Sequence, residues 1–127
     1  MPNGESPLTY DDVVALVADW PGIAADNWYG TPGLKVGGKG FARMWSQREY
    51  DRNRVHDTEV LVVLCDVDEK AMLIESANGV LFSTPHYDGH GSMLVRLADV
   101  DRTDLAGYLE DGYRTKATAR LLAAFET

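Results

Sequence analysis

The sequence predicts an α+β fold, a single domain with a mainly antiparallel sheet backed by helices. Three observations carry that expectation. Short alternating apolar runs meet at glycine-rich turns, as hairpin-linked strands do. One nearly all-apolar run, "VLVVLC", has the composition of a central strand buried on both faces. Helix signals stand at the two ends of the chain with one insertion between strands, and do not follow every strand as in a doubly wound fold. At 127 residues, 45% hydrophobic and 25% charged, the chain has the size and composition of one globular unit. We assign the domain to 9–125, after a short tail at 1–8.

Thr9 opens the first helix: it can cap, Asp12 stands at the capping-box position, and Leu8 can staple against Val13. The helix runs to about Trp20, and Pro21-Gly22 ends it. Strands are expected near 24–29, 33–36 and 40–46, with "VGGKG" as a hairpin turn because Gly37 and Gly38 tolerate positive φ. The stretch "SQREYDRNRVHDTE" is polar without a clean period and predicts a long loop or a ragged strand extension. After the central strand, "DVDEKAMLIESANG" predicts a helix capped by Asp66 or Asp68 and stopped by Asn78-Gly79. "VLFST" and "SMLVRLADV" are the last strands, joined by "PHYDGHG" with Asp88-Gly89 as the hinge. Asp101 caps the third helix, Val100 and Leu105 staple it, and Gly112 is expected to weaken or bend it before a final helical turn or two in "KATARLLAAF".

The net charge of −8 opposes non-specific attraction to nucleic acid or an anionic membrane. The charge is uneven, however. Residues 35–54 hold six basic side chains against two acidic ones, a net +4 that leaves the rest of the chain at −12. No apolar run approaches the roughly 18 residues of a membrane helix, and the N-terminus lacks the blocks of a signal peptide, so a cytoplasmic protein is expected. Cys65 has no partner for a disulfide and reads as a small buried hydrophobe. A phosphate loop of the GxxxxGK type is excluded, because Gly40 and a strand-like run follow Lys39.

The stretch "WPGIAADNWYGTPGLKVGGKGFARMW" carries Lys35, Val36, Gly38, Lys39, Phe41 and Ala42 in a characteristic order. The later "LVRL" is followed by an acidic helix start and by Tyr108 and Tyr113. On these residues the chain, from Tyr10 to about Leu122, resembles the MmcQ/YjbR-like family of small bacterial proteins, with departures near Met93 and Thr118. The resemblance implies a YjbR-like fold similar to type III secretion chaperones. It also implies DNA binding through a double wing, carried here by the hairpin with Lys35 and Lys39 and helped by Arg43.

The expected nucleic-acid surface therefore comprises Lys35, Lys39, Arg43, Arg48, Arg52 and Arg54, with Gly37 and Gly38 offering turn backbone to a phosphate. Any such binding should be weak and salt-dependent. The bland reading is a glycine turn whose lysines guard an edge strand. A second functional reading is a protein-interaction or chaperone-like domain that uses the sheet face and acidic helices. A third is a small-ligand or metal site at His86, Asp88 and His90, although a glycine-broken loop makes that spacing a weak signal. Ser83, Thr84 and Ser92 lie near the histidines without a nucleophile-elbow pattern, so no enzyme and no cofactor are expected. Trp20, Trp28, Tyr29, Trp45 and Tyr50 could stack on bases or on a ligand, or pack in the core. A monomer or weak dimer is expected.

Overall fold

The computed structural model describes residues 7–127. The expected tail at 1–8 lies outside the described residues except for its last two, and Leu8 is already buried in the core. Six strands form one antiparallel sheet in the spatial order β1 (Ile23–Ala25), β2 (Gly33–Val36), β3 (Lys39–Met44), β4 (Val60–Leu64), β6 (Ser92–Arg96) and β5 (Leu81–Phe82). The all-apolar strand β4 is paired on both sides, by β3 and β6, and Val60 to Val63 are buried. That is the place such a run requires.

Helices α1 (Tyr10–Val17), α4 (Arg102–Lys116) and α5 (Ala119–Phe125) cover one face of the sheet, and α3 (Lys70–Ser76) packs against β5 and β6. The core on this side joins Val13 and Val17 of α1, Leu34, Phe41, Leu61, Val63 and Met93 of the sheet, and Leu105, Leu109 and Tyr113 of α4. Thr9 opens α1 and donates its N–H and hydroxyl to the Asp12 carboxylate, while Asp101 caps α4 by accepting from the Asp104 N–H. Trp20 packs edge-on against Tyr113 and Phe125, which settles it as a core aromatic.

Four expectations are corrected. The first strand ends at Ala25, and 26–32 turn back through a bridge between Trp28 and Thr31. The expected loop at 46–59 contains helix α2 (Gln47–Asn53), whose N-terminus is a capping box between Ser46 and Glu49. Neither Asp66 nor Asp68 caps α3; Asp66 instead accepts the Asp68 N–H in a local turn. Gly112 does not interrupt α4. A Cβ there would stand 3.1 Å from the Leu64 carbonyl oxygen, so the glycine lets the helix lie close on β4.

The glycines of the β2–β3 hairpin divide into two kinds. Gly37 and Gly38 take φ of 57° and 83°, the two positive values of a type I′ turn. Gly33 and Gly40 instead make room for the Trp28 indole: a Cβ on either would stand 2.6 Å from an indole carbon. The indole N–H donates to the Ala42 carbonyl at 2.9 Å and fixes the ring there. Gly40→Ala should therefore cost about 2 kcal/mol by overpacking. Urea denaturation should show a lower midpoint at unchanged slope, and less than additive loss when Trp28 is also cut to Ala.

Candidate functional site

The pairing of β2 with β3 slips by one residue: Leu34 faces Ala42 while Lys35 faces Gly40, which leaves Phe41 as the extra residue of a bulge. Phe41 and Ala42 both join the helix-side core, and Arg43 faces the other side of the sheet opposite Val62. A guanidinium taken from water must be paired and hydrogen-bonded, and Arg43 is. Nη1 donates to Glu49 Oε1 at 2.9 Å and to the Met44 carbonyl at 3.2 Å. Nη2 donates to Glu49 Oε2 at 3.2 Å and to the Tyr87 hydroxyl at 2.8 Å. Tyr87 donates in turn to Glu49, and the rings of Trp28 and Tyr29 stand 5.9 and 5.3 Å from the guanidinium carbon.

This network moves the titrations of its members. Burial alone would raise the Glu49 pKa, but bonds from Arg43, the Ser46 N–H and Tyr87 outweigh it and bring the carboxyl down to about 2. Burial and the bond to Glu49 push the Tyr87 hydroxyl up to about 12.

Around Arg43 the second face of the sheet is only half covered. Helix α2 and the 83–91 segment close one half over a small core of Trp45, Val60, Val62 and Leu94 with Tyr50 and Phe82. The other half is an open cleft of about 380 Å³. Its floor is Val62, Leu64 and Ser92; Trp28, Tyr29 and Arg43 form one wall, and His86, Tyr87 and His90 the other. The second wall is held from within by Lys70, a buried lysine whose Nζ donates to the carbonyls of Tyr87 and His90. Burial lowers the Lys70 pKa.

The six basic residues expected to form one surface are not brought together. Lys35 is paired with Asp26 at 3.0 Å, and Arg43 is buried with both Nη groups engaged. Lys39 is exposed at the hairpin, where the Gly37 N–H is tied to the Gly22 carbonyl at 3.0 Å. Arg48, Arg52 and Arg54 are exposed on α2 and its cap, past the far end of β3 and roughly 17 Å of strand away. Of the histidine loop, His86 and His90 line the cleft with ring centroids 6.4 Å apart, while Asp88 accepts a bond from Ser83 at 2.8 Å. Among the described residues no three His, Cys, Asp or Glu side chains are grouped to hold a metal ion. Cys65 is buried, and burial raises its pKa. Sequence reasoning missed Glu49, Tyr87 and Lys70 as the residues that shape the site. Only Glu49 had a local signal, three positions after Ser46.

A six-stranded antiparallel sheet closed by helices on one face and half-open on the other defines a small α+β domain with a cleft on its open face. Residues 18–115 match the YjbR family model, and the chain belongs to the YjbR family. It is similar to the uncharacterized proteins Rv2570 of Mycobacterium tuberculosis and Mb2600 of Mycobacterium bovis. Each is 31% identical over 128 residues, covering 92% of this chain and 95% of the relative. No solved structure matches the chain. Among the described residues no helix is long and apolar enough to cross a membrane.

The two shifted groups give stability two pH arms. Glu49 ionises more readily folded than unfolded, so its contribution is complete above the ordinary value of 4.5 and is lost as pH falls toward about 2. Tyr87 holds its proton more tightly folded, so its contribution is complete below 10 and is lost as pH rises through about 12. Glu49→Gln should cost about 3 kcal/mol at neutral pH by leaving Arg43 underpaired. It should also flatten the acid arm, and Tyr87→Phe the alkaline arm, in urea midpoints measured across pH.

Proposed function

We propose that the protein is a cytoplasmic, non-catalytic binding module whose ligand site is the cleft beside Arg43, and that the glycine hairpin serves the fold. The observation that carries the proposal is the uneven cover of the sheet. One half of the second face stays open over an apolar floor of Val62 and Leu64, between an aromatic wall and an imidazole wall. Concave sites with apolar linings and a few convergent polar groups are what small ligands use, and this one lies within the usual range of volumes.

The duplex-binding reading has weaker support. Phosphate contacts need accessible cations on one surface, whereas Arg43 is matched by Glu49 and Lys35 by Asp26. A protein-interaction role for the acidic helices is the second reading, favoured by the exposed Met72 on α3 and Val67 just before it.

Thermal denaturation against soluble one-ring, two-ring and aliphatic fragments tests the proposal. Some fragments should raise the Tm of the wild type and fail to raise that of Ser92→Tyr, which fills the cleft floor from a half-exposed position. Equal shifts in both proteins would contradict the proposal. So would salt-sensitive binding of a labelled duplex that is lost in Lys35→Glu/Lys39→Glu, which would return the function to the hairpin.

A further inference from the structure

Resting on that reading of the cleft, we propose that its ligand is an uncharged heteroaromatic ring of the nucleobase type, clamped by Tyr29 and read along its edge by His86, His90 and Ser92. The backbone at Tyr29 gives the first reason. Tyr29 and Gly30 take φ of 54° and 73° between the bridged Trp28 and Thr31, a two-residue turn with both central residues at positive φ. That turn prefers Asn-Gly, and a bulky side chain at its first position is strained. Burial does not offset the strain, because Tyr29 is 82% exposed. A strained, exposed aromatic at the mouth of a cleft has the character of a ligand clamp, and base-on-aromatic stacking is a strong, sequence-tolerant interaction.

Charge selects among planar ligands. Arg43 is the cleft's fixed cation, and Glu49 and Tyr87 already satisfy its Nη groups, so an anionic ring finds no free counter-charge. The ring faces of Trp28 and Tyr29 already stand over that guanidinium, so a cationic ring would meet a like charge in the place it needs. An uncharged ring suffers neither cost. The hydroxyl of half-exposed Ser92 and the imidazoles of exposed His86 and His90 line the cleft, open to a ligand. A neutral imidazole offers one donor and one acceptor, and a hydroxyl offers both. A ring edge that carries donors and acceptors side by side is the matching partner.

The test is a titration of the full chain, followed by the ring resonances of His86, His90 and Trp28 in NMR. The probes are adenosine, cytidine, adenosine 5′-monophosphate, tyramine and indole. Adenosine or cytidine should give saturable shifts. The nucleotide, tyramine and indole should each bind at least about tenfold more weakly. Tyr29→Asn, which restores the preferred turn, should lose about tenfold in nucleoside affinity with a Tm no lower than wild type. Tighter binding of the nucleotide, or equal binding of tyramine or indole, would overturn the ligand class. So would silence from all five probes while other fragments still bind in a Ser92→Tyr-sensitive way, and in that case the cleft itself stands as a site. No Ser92→Tyr-sensitive ligand of any kind would remove the site along with the ligand class. A less stable Tyr29→Asn that keeps its affinity would make Tyr29 a structural residue.

Discussion

A guanidinium inside a protein has to be met by a carboxylate and by further acceptors, and Arg43 imposes that requirement on the whole second face of the sheet. Its partners come from two segments outside the sheet, helix α2 and the 83–91 segment. Helix α2 has seven residues and none that is buried, so it is far too short to persist alone. Glu49 ties it to β3 and also closes its own cap at Ser46. The 83–91 segment has no regular structure and is pinned by the Tyr87 hydroxyl on one side and by Lys70 on the other. The Arg43 guanidinium thus links the two segments that cover half the sheet.

The same pairing sets the charge of the remaining half. With Arg43 matched in charge, the open part of the face is an apolar floor between ring systems, without the free cations that a phosphate backbone requires. The Trp28 wall depends on Gly33 and Gly40, which lend the indole its seat, while Gly37 and Gly38 turn the chain. The basic, glycine-rich run thus turns the chain at its tip and seats the Trp28 indole at its inner end.

Local signals made much of the fold legible. The capping pairs Thr9 with Asp12 and Asp101 with Asp104, the turn glycines 37 and 38, and the apolar run of β4 each act over a few residues. Helix α2 was hidden by its polar composition, although its Ser46-to-Glu49 cap stood in the sequence; a helix that half-buries a single aromatic, Tyr50, leaves no apolar stripe to read. The site was legible only in fragments. The bulge at Phe41 sets which face Arg43 takes, and nothing in "KGFARM" announces a one-residue slip. Tyr87 is 44 residues from Arg43, and Lys70 is 17 from the carbonyl it holds. Such pairings follow from the assembled sheet. His86 and His90 were visible as a pair, but the carboxylate between them points to Ser83.

Arg43 joins α2, through Glu49, to the 83–91 segment, through Tyr87. A double-mutant cycle of Glu49→Gln and Tyr87→Phe, read as urea-denaturation stability at neutral pH, tests that link most directly. Both side chains bind the same guanidinium and each other, so the two losses should couple by about 1 kcal/mol or more. Losses that add within about 0.3 kcal/mol would mean that the helix and the segment are held independently, and would contradict the account.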